Sequence, residues 1–342
     1  MEPLTTDTVC IDPAAVAARL QDPNRCIRLA ALAELQMAGQ EALPAQEAVA
    51  SCLNDPNHDE SARRLAVEVL GSSGPAAVPT LTQVLSENQP TSVRVAAASV
   101  LARNGPAAAP AIDPLCKCLQ SDDELLRWHA SFALGKIGPA AVPALRQMLL
   151  SSQPHVLLAV INSLEWIGKE AGSVLDDIKR LSSGSGPSLQ VACSSALVKI
   201  SGDPSMGLPM LHSHIEEGDP EIRKMSVERI GNLGPIACDS APVIQKCLED
   251  ESAEVRAAAA LAMVKIQADP AVTVSTLTKL LSDPEPEVRA HAVMGLAACG
   301  PAAGSALPAL RAMQAEGHPR LASIASGANA KKANILGIRC AL

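Results

Sequence analysis

A chain of 342 residues with 28 Lys and Arg against 36 Asp and Glu carries a formal charge of −8, which argues against non-specific nucleic-acid binding and leaves room only for a local basic stripe. Two Trp, one Phe and no Tyr accompany 48% apolar residues, so the aromatic area on which ordinary cores draw is missing. Ala, Leu, Val and Ile must fill the core instead, which calls for many closely packed helices.

The opening MEPLTTDTVCIDPAAV shows neither the basic nor the apolar block of a signal peptide, and residues 1–12 read as a flexible lead-in. No run of about 18 apolar residues stands out, so no membrane span is expected. Residues 13–20 (PAAVAARL) read as a lone helix ahead of the first full repeat. An intracellular, cytoplasmic location is the expectation, and the ten cysteines fit a reducing compartment. Cys52, Cys118 and Cys247 recur in one context (SCL, KCL, KCL) at the end of a repeated helix, and Cys193 and Cys299 take repeated core positions. The pair Cys116 and Cys118 has one residue between, which is wrong for a CxxC site. All ten read as structural, with Cys10 and Cys340 the candidates for exposure.

The repeat emerges from nine anchors: Arg28, Arg63, Arg94, Arg127, Leu157, Gln190, Arg223, Arg256 and Arg289, spaced by 35, 31, 33, 30, 33, 33, 33 and 33. An apolar residue precedes each anchor. At +3 stands a small residue in eight of nine units, with Val160 the exception, and at +7 every unit has Leu, Ile or Met. At +11 seven units have Gly, often followed by Pro, as in Gly138-Pro139. Offsets −1, +3, +7 and +10 fall within about 80° of arc and form one helix stripe. Gly is expected to end the first helix in the left-handed cap conformation and Pro to start the second, as in PAAVPALRQML (139–149). The second helix leads into a polar loop such as SDPEPE (282–287), where Asp283 could cap the next first helix. A hairpin of this kind cannot bury its apolar face alone, so the units must stack into an all-α solenoid of about nine hairpins with terminal caps.

The pattern D-P-x-V-R-x-x-A-x-x-x-L-x-x-I-G-P-x-A-x-P-A-L, clearest in 122–145 and 283–310, resembles HEAT repeats, in particular the short variety of phycobilin lyase subunits and deoxyhypusine hydroxylase. The resemblance covers residues 13–339 and is specific for fold, not for activity. It implies an array over 13–318, with 319–342 a degenerate capping helix and tail exposing Lys331 and Lys332. Leu157 and Gln190 break the anchor pattern, and between them residues 182–187 (SSGSGP) form either a surface loop or a weak hinge.

The hydroxylase resemblance would imply iron held by His-Glu pairs on the first helices. Here Arg127 and Arg289 are followed by Trp128 and Ala290, and His129 and His291 come one place later, each followed by Ala. With His58-Asp59-Glu60 in a loop and no His-Glu pair in the chain, no metal, cofactor or catalytic residue is assigned. His212 and His214, the best remaining metal candidates, sit at i and i+2 and point to different faces of a helix.

Two candidate partner surfaces remain. Lys117, Arg146, Lys179, Arg180, Lys246, Lys279 and Arg311 recur near the ends of the second helices, which line the concave surface in the fold this sequence resembles. They would suit an acidic peptide or protein surface, or they answer the helix dipole. Acids gather in the inter-repeat loops, where the anchor arginines can meet them. Trp128, Phe132 and Trp166 lie at offsets +1, +5 and +9, near 200°, 240° and 280°, where other units place polar residues. They form an outward patch or pack across adjacent first helices. The reading is a non-enzymatic scaffold or adaptor for a protein partner in a larger assembly. The alternative, carried by resemblance, is a lyase-type or chaperone-like subunit acting on a tetrapyrrole-bearing protein.

Overall fold

The computed structural model describes residues 12–55 and 57–315, which divide between Val174 and Leu175 into two compact units. The first opens with α1 (Pro13–Ala18) and continues through hairpins α2 (Arg25–Ala38) and α3 (Gln46–Ser51), α4 (Glu60–Gly71) and α5 (Val78–Val84), α6 (Thr91–Asn104) and α7 (Ile112–Cys118), and α8 (Glu124–Ile137) and α9 (Val142–Met148). It ends with α10 (Pro154–Ile167), first helix of the fifth hairpin. The second unit begins with that hairpin's second helix, α11 (Leu175–Ser183). Hairpins α12 (Pro187–Ser201) and α13 (Leu208–Glu217), α14 (Pro220–Leu233) and α15 (Ala241–Cys247), α16 (Ala253–Lys265) and α17 (Pro270–Leu280), and α18 (Pro286–Cys299) and α19 (Leu307–Ala315) follow. Nine hairpins in register make an all-α solenoid. Of the expected lead-in 1–12, Asp12 caps α1 by accepting from Ala14 N at 3.0 Å, and residues 1–11 with Cys10 lie outside the described residues, as does the segment 319–342 with Cys340, Lys331 and Lys332.

The stripe is buried as the offsets require. All nine residues at +7 are at most 5% exposed, and all nine at +3 are buried. Of the −1 residues only Ile27 is half-buried. First helices start on side-chain caps where the loop supplies them: Asp59 accepts from Ala62 N at 2.9 Å, Asp123 from Leu126 N at 2.7 Å and Asp219 from Ile222 N at 2.9 Å.

The turn inside each hairpin differs from expectation. Six of the glycines at +11 have φ between 54° and 85° with ψ between −120° and −146°, a region open to Gly alone, and not the left-handed helical cap. Gly202, one place later at +12 in its repeat, adopts that cap with φ 75° and ψ 9°. In four of the six a Pro follows, which bars helical conformations from the residue before it. Nor does that Pro open an α-helix. It opens a 3₁₀ segment, such as Gly105–Ala111, and the short second α-helix follows. PAAVPALRQML is thus the 3₁₀ turn Pro139–Ala141 plus α9.

Other expectations are corrected. Asp283 does not cap α18, whose N-cap is Glu285 without a side-chain bond; Arg256 holds Asp283 instead. Cys26 and Cys238 are exposed, because they lie off the buried stripe, whereas Cys52, Cys116, Cys118, Cys193 and Cys247 are buried. The run Pro286–Met313 does contain an 18-residue window of mean hydropathy 1.4, raised by its alanines. It is broken at Gly300 (φ 58°) into α18, a 3₁₀ turn and α19. Residues 184–186 turn between α11 and α12 inside the second unit, where Gln190 Nε2 donates to Ser182 O at 3.3 Å.

Leu134 and Leu296 are fully buried at +7. Replacing either by Ala is expected to cost about 2–5 kcal/mol in chemical denaturation. The melting transition should also broaden, because a repeat couples mainly to its neighbours. A loss below about 0.5 kcal/mol would remove these positions from the core.

Candidate functional site

Side chains of Ala size cannot fill a wide gap, so first helices must come close. On α8, Gly135 has no Cβ, and one built there would stand 2.2 Å from the Trp166 Cβ of α10. One turn earlier, Ser131 Oγ donates to Ala159 O at 2.6 Å and lies 2.9 Å from Ser163 Oγ, which itself donates to Ala159 O at 2.9 Å. This buried serine pair and the glycine draw α8 and α10 together, and the aromatic rings are carried on the outer side of the contact.

There the Trp128 and Phe132 rings stack, with centroids 5.5 Å apart and planes 10° from parallel. Phe132 meets Trp166 edge-on at 5.1 Å and 84°. Lys136 Nζ lies 5.2 Å from the Phe132 centroid, within cation–π range. Trp128 and Trp166 are each 51% exposed and Phe132 is half-buried. Packing across helices and outward exposure therefore coexist. Leu125, 57% exposed, and half-buried Leu158 extend the patch. Leu125 was missed by the sequence reading, although its offset of −2 falls at 260° by the same rule. A cleft of about 180 Å³ runs beside Trp128 between α8 and α10, walled by Leu158, Asn162 and His155, whose buried Nε2 has no hydrogen-bond partner. Burial pushes His129, edge-on to Trp128 at 4.8 Å, below the usual histidine range.

The anchor arginines form a ladder. Arg127 Nη1 donates to Ser121 O and Asp122 O at 2.7 and 2.8 Å, and Arg256 and Arg289 bond the same two positions of their own loops. Arg28 adds the carbonyl of Asn57 in the following loop at 2.6 Å. Arg223 and Arg256 reach further, each bidentate on an aspartate of the next loop, Asp250 and Asp283, at 2.8–2.9 Å. Burial works to raise both carboxyl pKa values. The arginine bonds and a backbone N–H donor outweigh it and hold both below the ordinary range. The arginines tie loops together and are not a ligand site.

The basic positions are all exposed: Lys117 and Arg146 in the first unit, Lys179, Arg180, Lys246, Lys279 and Arg311 in the second. Lys179 Nζ lies 3.8 Å from Asp176, and Arg180 pairs with Asp177 on the same helix. Lys117, Arg146, Lys246 and Lys279 stand in the last turns of their helices, where the dipole favours a cation. His212, at the corresponding place on α13, is 2.9 Å from Ser240 Oγ, and burial lowers its pKa against the pull of Glu216. His58 is not a solvated loop residue; it is 1% exposed, with Nδ1 3.2 Å from Asp55. Among the described residues, no three His, Cys, Asp or Glu side chains converge as a metal site would require.

The family model for HEAT repeats matches residues 48–124, 112–183, 208–274 and 240–327. Among solved structures, karyopherin Kap121p bound to the extreme C-terminus of the protein phosphatase Cdc14p is similar with a TM-score of 0.51 at 14% identity, over 96% of this chain and 41% of that one. The complex of CpcE and CpcF of phycocyanin lyase from a Nostoc species gives 0.39 at 17% identity, over 85% of this chain and 96% of that one. Human deoxyhypusine hydroxylase in complex with glycerol gives 0.37 at 21% identity, over 78% and 97%. These are likenesses of fold. Comparison with curated protein sequences returns no match.

Two outcomes follow from this geometry. Gly135→Ala places a methyl against the Trp166 Cβ; it should cost about 1–3 kcal/mol and shift the tryptophan emission. Asp250 and Asp283 have folded pKa values below the ordinary ~3.9, so their bonds stabilise fully above that value and the contribution is lost as pH falls through the folded values. The denaturation midpoint should therefore drop below about pH 4. Asp250→Asn with Asp283→Asn should be less stable at neutral pH and lose part of that acid dependence.

Proposed function

The chain belongs to the HEAT-repeat family, and from that premise we propose that it is a non-enzymatic protein-binding scaffold whose docking point is the Trp128–Phe132–Trp166 patch. One observation carries the reading: every aromatic residue of the chain gathers on one face of two adjacent helices, and both indoles are 51% exposed. Trp is the residue most enriched where interfaces draw their affinity, and an apolar patch left open favours association. Covering the exposed halves of two indoles removes on the order of 200 Å² from water, worth roughly 5 kcal/mol before the cost of association. The neighbouring cleft, with Leu158 on its wall and an unpaired His155 nitrogen, suits one apolar side chain of a partner beside a polar contact.

Lys246, Lys279 and Arg311, one on each of three successive second helices, supply a second and electrostatic contact for a partner with an acidic surface or peptide. Loop acids such as Asp250 and Asp283 are already bound by arginine and leave this positive row less opposed.

Affinity capture with mass spectrometry from the source cells identifies the partner, and two variants test the surfaces. Trp128→Ala with Phe132→Ala should abolish capture while costing little stability, since one ring is half exposed and the other half-buried. Capture lost only in step with unfolding would return these rings to the core. Lys246, Lys279 and Arg311 changed to Glu should keep helicity and weaken capture, with marked salt sensitivity in the parent protein. Capture unchanged at low salt would leave helix-dipole complementarity as the only role of these cations.

A further inference from the structure

Stacking sets the three rings in a row along α8. Trp128 and Phe132 are one turn apart on that helix, and Trp166 comes in beside Gly135, nearer its C-terminal end. Centroid steps of 5.5 and 5.1 Å hold the two indoles no further apart than the sum of these steps. Both indoles are half exposed, and neither ring nitrogen has a hydrogen-bond acceptor among the described residues. The row therefore offers flat apolar surface, two N–H donors and no acceptor of its own.

That inventory distinguishes the shapes a peptide can bring to it. An α-helix uses its carbonyls internally and answers the two donors only through side chains. A polyproline II segment has no internal hydrogen bonds, so its carbonyls are free to accept. Three of its residues make one turn and rise about 9 Å, so prolines at i and i+3 share an edge and fall within the reach of the two indoles. Proline also brings no N–H, and the row holds no acceptor for one. Its fixed backbone angle means that less conformational freedom is lost on docking.

The two ends of the row differ in charge. Beyond Trp128, the side chains of Asp122, Asp123 and Glu124 are all exposed, and Glu124 lines the cleft that also holds Leu158. Arg127, the cation at that end, already donates Nη1 to two loop carbonyls. Lys136 stands over Phe132 at the other end. A basic side chain of the peptide thus belongs at the Trp128 end, with its stem along Leu158 and its charge against Glu124.

We infer that the aromatic row binds a proline-rich peptide in the polyproline II conformation, with two prolines three residues apart on Trp128 and Trp166 and a Lys or Arg meeting Glu124. The inference rests on the docking role given to this patch and narrows its partner to one chemical class.

Both tryptophans of the chain lie in the row, so intrinsic emission of the full chain reports on it directly. The probes are octaproline with an arginine at each end, octaproline alone, and a helical peptide of Ala, Leu and Arg with the same length and charge as the first. Arginine-flanked octaproline should shift the emission saturably and bind more tightly than the other two. Trp128→Phe keeps a flat ring but loses the donor, and should weaken binding about fivefold. Trp166→Ala should weaken it about thirtyfold. Glu124→Gln should weaken it about threefold and leave plain octaproline unaffected; this exposed change supplies the second arm if a tryptophan variant fails to fold. Equal affinity of the parent, Trp128→Phe and Glu124→Gln proteins would overturn the proposal, as would no saturable shift with either proline peptide or tighter binding of the helical one. So would an emission shift that follows protein concentration alone, because a second copy would then be the occupant. Capture of a cellular partner, lost in Trp128→Ala with Phe132→Ala, reads the docking role separately: where that loss is seen and the proline peptides fail, this proposal falls and the scaffold reading stands.

Discussion

Close approach between successive first helices is the constraint from which the remaining features of each unit follow. A core without aromatic area gains its stability from many short-range contacts, and those decay within a fraction of an ångström. Glycine at +8 makes the approach possible on three first helices, where a Cβ on Gly71, Gly135 or Gly231 would meet Val100, Trp166 or Ala262. Large rings have no place in that seam. The three aromatics must stand outside it, and the same glycine that admits α10 against α8 sets Trp166 beside Phe132. Core composition and candidate docking surface are thus one consequence of one packing rule.

The loops obey a second rule. A loop at the end of a hairpin carries backbone carbonyls that helices leave unmatched, and the anchor arginine supplies donors to them from the next helix. Arg127, Arg256 and Arg289 each close two such carbonyls with one Nη1. In the second unit the remaining nitrogens of Arg223 and Arg256 take up loop aspartates, side chains 13–14% exposed against 13% and 6%. These pairs are screened less than surface pairs and fix the spacing of adjacent loops. They also explain why acids so dense in sequence do not all project as an acidic surface.

Periodicity made much of this visible before any coordinates. Residues at −1, +3 and +7 fell on the buried stripe because a helix offers no other face to its neighbour, and the outward arc at +1, +5 and +9 located the aromatic patch by the same arithmetic. Leu125 and Cys26, both at −2, obey the same rule, since that offset falls at 260° and both are exposed. The hairpin turn was read less well. Gly followed by Pro fits several turn conformations, and the choice of a positive φ with extended ψ leading into 3₁₀ turns depends on where the second helix must land. Asp283 escaped for a related reason, since Arg256 of the preceding repeat binds it, whereas His58 meets Asp55 of its own loop.

Local pattern alone therefore determined the all-α hairpin array, its register, its buried residues and the outward side of its first helices, because each depends on spacings of 3, 4 and 33 residues within one chain direction. What only the tertiary structure decided are contacts between residues 27 to 34 positions apart: the edge-on meeting of Phe132 with the Trp166 indole, the serine pair beneath them and the aspartates held by Arg223 and Arg256. Sequence spacing says that two repeats are neighbours. It does not say which atoms meet, because that depends on the angle and distance at which one helix settles on the next.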